Sequence, residues 1–445
     1  MLAAMNTFII DSAEFNAETG EAKFNYRLGE HRFTERLELG VGFDLARAQS
    51  NSFAHLLDLA AAILGVSYYK LKAPKTIDLT TLNLSEADQI LLRDIYENGL
   101  GEFYTRNKLK RFGQIDYQFA PAITPTNDLD WPQQSLVLIG GGKDSLVSVD
   151  LLTRANIPFT PFAVNPKGPI ISSTDQIEQS PLFVRRHLSP TLFELNDQPG
   201  FYNGHVPSTA INSVVASLVA ALYGYNEIIL SNERSASEGN VEFDGREVNH
   251  QHSKSLDFEQ LMETSFKAAS GGQLGYFSLL RPFSEVRIGQ LFARTQKFDQ
   301  HFSSCNENFK QNQDGPKRWC TNCPKCHFVS LILAPFMEPQ RLTDIVGKNV
   351  LDDATKLGAF RELSGLTGHK PWECVGEILE AAAALWHLAH QDHWQDAAIV
   401  KTLKPELDAF YGAPTLESAW DELLQDANQH NVPEKYQLNE IARAS

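Results

Sequence analysis

An apolar run that stops at three glycines and resumes at once as an amphipathic helix pattern constrains this chain most: Ser135-Leu136-Val137-Leu138-Ile139-Gly140-Gly141-Gly142-Lys143-Asp144-Ser145-Leu146. Residues 136–139 lack polar alternation and read as a strand buried on both faces, the pattern of a parallel sheet. The glycines let backbone N–H groups turn inward and approach a ligand closely. The positive end of the following helix faces the same point, so the natural ligand is an anion such as phosphate. Ser145 adds a hydroxyl, Asp144 a carboxylate suited to Mg2+, and Lys143 a counter-charge. A plain strand-to-helix turn has no need of three glycines, which weaken the flanking elements.

Beyond residue 134, strands and helices alternate: strand 135–139, helix 143–155, strand 159–164, a third strand at 191–195, helix 206–223 and strand 227–230. That rhythm predicts an α/β fold with a doubly wound parallel sheet, whose ligands sit outside the carboxyl ends of the strands. Two polar stretches fall near such ends: Ser231-Asn232-Glu233-Arg234-Ser235-Ala236-Ser237-Glu238-Gly239-Asn240 and Val248-Asn249-His250-Gln251-His252-Ser253-Lys254-Ser255. The first reads as a substrate or Mg2+ contact. The histidines of the second are candidates for acid–base work, with metal binding as the alternative. Residues 276–284 lead through Glu285 into a further helix. Upstream, residues 7–39 read as a β-meander and 43–64 as a helix ended by Gly65. A second helix starts at Ser85 with Asp88 in capping-box position, and carries Ile90, Leu91, Ile95 and Tyr96 toward a core. Residues 121–132 read as a linker. The expected division is an N-terminal α+β domain at 1–130 for substrate recognition, an α/β domain at 131–340, and a C-terminal helical region at 341–445.

The chain carries 55 acidic and 39 basic residues, a net charge of −16, which makes a polyanion such as a nucleic acid a poor partner. No apolar run approaches the roughly 18 residues of a membrane span. The first residues lack the basic region of a signal peptide. A cytoplasmic protein with neither nucleic acid nor membrane as partner is expected.

Of five cysteines, four cluster as Cys305, Cys320, Cys323 and Cys326. Four thiolates make a closed tetrahedral zinc site of the structural kind, and disulfides are disfavoured in the cytosol. The fifth, Cys374, reads as inert packing, with a reactive role as the alternative.

The glycine stretch departs from the kinase-type phosphate loop, which needs Ser or Thr directly after the lysine. It resembles the pyrophosphate loop (S-G-G-x-D-S) of the N-type ATP pyrophosphatases, with Gly140 in place of the first serine. One upstream cysteine followed by C-x-x-C-x-x-C resembles the zinc site of the queuosine-pathway nitrile synthases, also pyrophosphate-loop enzymes. Both stretches, with Asn203-Gly204-His205-Val206-Pro207, the two polar runs, Arg318-Trp319-Cys320, Cys323-Pro324-Lys325-Cys326 and Gly368-His369-Lys370-Pro371, look like the ATP-dependent UDP-N-acetylmuramoyl-L-alanyl-L-glutamate epimerases of bacterial cell-wall synthesis, the MurL type.

That resemblance implies conversion of the terminal L-glutamate of UDP-MurNAc-L-Ala-L-Glu to D-glutamate. ATP would be cleaved to AMP and diphosphate, and an acyl-adenylate would make the α-proton acidic. It implies that Gly140, Gly141, Gly142, Lys143, Asp144 and Ser145, with Ser231 and Asn232, bind ATP and Mg2+. It makes Glu233, Arg234, His205, His250, His252 and Lys254 the catalytic candidates, with His369 and Lys370 closing over the site. Other adenylating enzymes of this superfamily (an amide or nitrile ligase, a thiolase) and a non-catalytic ATP-binding regulator stand as the alternatives.

Overall fold

The computed structural model describes residues 7–237, 239, 241–309, 318–368, 371, 373, 375–438 and 441–442. Its strands are β1 (Thr7–Asn16), β2 (Glu21–Leu28), β3 (His31–Glu38), β4 (Thr76–Leu79), β5 (Asp116–Phe119), β6 (Ser135–Leu138), β7 (Thr160–Val164), β8 (Leu182–His187), β9 (Glu227–Leu230), β10 (Val241–Phe243), β11 (Arg246–Val248) and β12 (Gly275–Ser278). Ten form one sheet in the order β12-β9-β6-β7-β8-β3-β2-β1-β4-β5; β10 and β11 form a separate hairpin.

The five strands from β12 to β8 pair in parallel. Their side chains alternate between two cores. Leu136, Phe162, Ile228 and Tyr276 enter one, and Val137, Ala163, Ile229 and Phe277 the other. The helix Ser208–Tyr223 covers the first face and the helix Lys143–Arg154 the second. Hence the continuous apolar runs: both faces are buried. Chain order reverses between β6 and β9, the topological switch point at which open α/β sheets bind ligands.

The meander β1–β3 is antiparallel as expected, and it extends the same sheet. β3 pairs antiparallel with β8, so the sheet is mixed rather than wholly parallel, and it passes the expected junction near residue 130 without a break. A buried ion pair makes the joint possible: Arg186 Nε of β8 donates to Glu35 Oε1 of β3 at 2.6 Å, and Arg186 Nη2 to Ser67 Oγ at 2.9 Å.

Three expectations are corrected. Residues 191–195 belong to the helix Pro190–Asn196, because Pro190 presets the first helical turn; the third parallel strand is β8, whose arginines disguise it. The helix expected over 43–64 starts at Asn51, where Ser50 caps it through a 3.1 Å bond to the Phe53 N–H. Ile90 is 51% exposed rather than in the core.

The helical run Asn51–Tyr69 is apolar and, at 19 residues, long enough to cross a membrane, contrary to the sequence expectation. Its apolar surface is consumed by the core, with 89% of the stretch buried. The Ser85–Asp88 capping box is present at the start of the helix Glu86–Glu97. Asp88 is wholly buried there, accepting from Ser85 N–H (2.8 Å), Ser85 Oγ (2.6 Å) and Ser265 Oγ, and pairing with His55 Nε2 at 2.8 Å. Burial alone would raise its carboxyl; the His55 bond and the hydroxyls hold it below the usual range. Asp88→Ala strands these donors and is expected to cost about 3 kcal/mol in urea unfolding.

The C-terminal region is helical, from Pro339–Val346 to Ala413–Leu423, and packs on the second core. His369, Lys370 and Cys374 lie outside the described residues.

Candidate functional site

A cavity of about 430 Å3 opens at the switch point, outside the carboxyl ends of β6, β7 and β9. The loop after β6 forms one wall. Gly141 has φ +77°, and a Cβ there would stand 2.9 Å from the backbone nitrogen of Ile170, so the tight turn requires glycine. Gly142 is the N-cap of the helix Lys143–Arg154, with no capping side chain, which leaves first-turn N–H groups for a ligand. Gly140 lines the cavity, and a Cβ on it would meet nothing within 4 Å. The serine of the resembled motif would therefore fit, and its absence removes a hydroxyl without reshaping the turn.

Asp144 and Ser145 line the cavity, as do Ser231, Asn232, Glu233 and Lys254. Lys143 does not. It is fully buried and bonds to both Asp144 and Glu285. Burial would lower its pKa, but the two carboxylates more than reverse this and hold it charged. Its ammonium is turned to these two carboxylates rather than into the cavity. On the β9 wall, Ser231 Oγ meets Ser148 Oγ at 2.7 Å, and Asn232 Nδ2 donates to Ser278 Oγ at 3.0 Å. Arg281, 2% exposed, donates to the carbonyls of Glu233 (2.7 Å) and Lys254 (2.6 Å) and to Glu259 Oε2 (2.8 Å), so one guanidinium sets two cavity residues. Burial, then the Glu285 carboxylate, raises the carboxyl of Glu233. Arg234 stands aside, 3.6 Å from Glu377.

Burial and Glu285 also push the buried Glu380 carboxyl up to about 8. Its Oε1 accepts the Val286 N–H at 2.8 Å. With the folded pKa raised from 4.5 to about 8, the folded chain holds more protons than the unfolded chain between those values. Stability therefore falls as pH rises through that window, by at most about 1.4 kcal/mol per pH unit. Glu380→Gln is expected to flatten this decline, read as melting temperature from pH 5 to 8.5.

The three candidate histidines His205, His250 and His252 form two carboxylate-bound groups whose acids come from N-terminal helices. His250 Nδ1 bonds Glu102 Oε2, and His205 Nδ1 lies 3.4 Å from the same oxygen, with the imidazole centroids 5.0 Å apart. Burial, then His250, pushes His205 down to about 4 against the pull of Glu102, so it is neutral at pH 7. His252 Nε2 meets Asp94 Oδ2 at 2.6 Å and lines a smaller cavity of about 230 Å3 with Asn98, Arg246 and Asn249. Lys70 Nζ holds the Asn203–Gly204 turn through Asn203 Oδ1 at 2.8 Å and Gly204 O at 3.2 Å. Glu102, Glu285, Lys70, Ser304, Asn306 and Lys325 escaped the sequence reading. Each lies far in sequence from the motif it serves or, like Lys325, inside a motif read for something else.

The four cysteines converge. Their sulfurs lie within 4.8 Å of one another, with Cys323–Cys326 at 3.5 Å and Cys320–Cys326 at 3.7 Å. Sulfurs also accept backbone N–H groups: Cys305 from Cys320 (3.4 Å) and Cys320 from Cys323 (3.2 Å). This donor set fits a structural metal such as zinc. His327 Nε2 faces Thr321 O at 3.1 Å and is no ligand. Glu102, His205 and His250 also offer ligand atoms within 4.8 Å of one another.

The fold is an α/β architecture with a cavity at the switch point of its parallel strands and a four-thiol centre beside it. The chain belongs to the MurL family: the MurL N-terminal domain matches residues 1–279 and the MurL C-terminal domain residues 301–416. It is 39% identical over 442 residues to the UDP-N-acetyl-alpha-D-muramoyl-L-alanyl-L-glutamate epimerase of Micromonospora sp., covering 98% of each chain. The proteins of the same name from Xanthomonas oryzae pv. oryzae and Salinispora tropica are 41% and 39% identical, over 83% of each chain and over 90% of this chain and 89% of the relative.

Proposed function

We propose that this protein epimerises the terminal glutamate of UDP-MurNAc-L-Ala-L-Glu from L to D during peptidoglycan precursor synthesis, as a cytoplasmic enzyme driven by ATP. The observation that carries the reading is near-full-length similarity to a relative bearing that activity in its name. The glycine turn, with its uncapped helix start and no Cβ room at Gly141, supports a phosphate chain and the pyrophosphate-loop assignment.

ATP, when bound, would supply an AMP group to the glutamate carboxylate with diphosphate leaving, which makes the neighbouring α-proton acidic until water releases AMP. The chain's own residues do the rest. First-turn N–H groups and Ser145 would hold phosphate oxygens, and Asp144, oriented by Lys143, would hold Mg2+. Ser231 and Asn232 line the opposite wall. Glu233 and Lys254, set by Arg281, face the glutamate end. The Glu102-bound His250, with neutral His205 beside it, accepts the α-proton. His252 and Arg234 serve substrate placement.

One incubation in D2O with ATP, Mg2+ and UDP-MurNAc-L-Ala-L-Glu tests this. AMP release with D-glutamate carrying α-deuterium is the expected result. AMP without inversion would replace the reading with a ligase, and ATP binding without AMP with a regulator.

A further inference from the structure

The four-thiol centre reads in sequence as a structural zinc site, yet its neighbours are cavity residues. Ser304 and Asn306 flank Cys305, Lys325 stands between Cys323 and Cys326, and all three line the main cavity. Ser303 donates its backbone N–H to Gly141 O at 3.0 Å, and its Oγ accepts the Cys305 N–H at 3.1 Å. A Cβ on Gly142 would lie 3.0 Å from Ser304 Oγ. One arm of the centre therefore rests against the glycine turn. The other arm begins the helix Pro324–Leu333, whose N-cap Cys323 accepts the Cys326 N–H. That places Lys325 in the first turn, where it lines the cavity.

Two lysines stand beside the glycine turn, and they differ in kind. Lys143 is enclosed and committed to Asp144 and Glu285. Lys325 takes the remaining Glu285 oxygen at a long 3.4 Å and, unlike Lys143, lines the cavity. Glu285 thus anchors both cations from behind, and of the two Lys325 is the one that lines the cavity, together with Lys167 and Lys254. Lys325 then lines the same cavity as the glycine turn, and a cation there suits a chain of several phosphates.

We propose that the four-thiol centre is one wall of the phosphate site: Lys325, with Ser304 and Asn306, contacts the phosphate chain, and the metal fixes these groups against the glycine turn. The inference rests on the nucleotide reading above and extends it to residues outside the loop.

The test is isothermal titration of the full chain with Mg·ATP, inorganic pyrophosphate and UDP-MurNAc-L-Ala-L-Glu, with zinc content and melting temperature measured on each variant. Lys325→Gln is expected to keep its zinc and its melting temperature. It should lose about tenfold or more in affinity for ATP and pyrophosphate, the loss of one charge-assisted contact, with the dipeptide unaffected. Lys325→Arg should recover most of the loss. Asn306→Ala should lose about threefold on the same two ligands, and it decides the matter if Lys325→Gln releases zinc. Unchanged ATP and pyrophosphate affinity in the zinc-retaining variants overturns this proposal and leaves the nucleotide reading standing. Failure of the wild-type chain to bind ATP overturns both.

Discussion

Asp144→Asn is expected to lower AMP formation by about 10³-fold or more while leaving the fold intact. Asp144 opens the helix Lys143–Arg154 and faces the cavity, beside N–H groups that invite an anion. A carboxylate there would repel a phosphate chain unless a divalent cation stood between them, and Lys143, turned inward to Asp144 and Glu285, does not play that part. Asparagine preserves shape and removes the charge that would bind the cation. Charge stabilisation of several kcal/mol by a bridging metal converts to that loss in rate. Lys143 keeps Glu285 as partner, so no unpaired buried charge results, and melting temperature should move by only a few degrees. The measurement is pyrophosphate release at saturating ATP across a range of Mg2+ concentrations. Activity within tenfold of wild type at every concentration would remove Asp144 from cation binding.

The parts of this molecule legible in the sequence are those whose physics is local. The glycine turn announces itself because only glycine accepts φ +77° beside the Ile170 backbone, and the four-cysteine cluster because ligand spacing is short. The apolar runs of β6 and β9 read correctly because burial on both faces leaves no other pattern. β8 did not, since Arg185, Arg186 and His187 look exposed until Glu35, 151 residues from Arg186, is seen to neutralise the central one. Lys143 is the opposite case. A lysine after a glycine run reads as a phosphate ligand, and only Glu285, 142 residues on, reveals its inward turn. Likewise the histidines were visible but their organiser was not: Glu102 carries no motif, and it meets His250 across 148 residues.

Glu102→Gln is therefore expected to slow α-proton exchange by about 10²- to 10⁴-fold, the contribution of a positioned acid–base group, while AMP formation falls far less. Glu102 is 6% exposed, and one of its oxygens faces both imidazole Nδ1 atoms while the other takes Arg106. An acceptor fixed at Nδ1 keeps the proton on that nitrogen and leaves Nε2 as the basic atom. Glutamine fills the same volume but can present an NH2 where the imidazoles require an acceptor, and the tautomer is lost. Both Nδ1 atoms turn to one Glu102 oxygen with the centroids 5.0 Å apart, so the two rings are expected to act together as neighbours on one carboxylate. The pair thus works from one face, and the proton returned from the opposite face must come from another group, for which Lys254 in the cavity wall is placed. Deuterium incorporation into glutamate from D2O, followed beside AMP release, separates these steps. Glu102→Gln and His250→Ala should each suppress incorporation, and the double variant should lose little more than either alone, since the two act as one unit. Wild-type incorporation in Glu102→Gln would take the pair out of proton transfer. Lys254→Met should retain exchange on the L substrate and lose inversion, which distinguishes a one-sided base from a relay through both histidines.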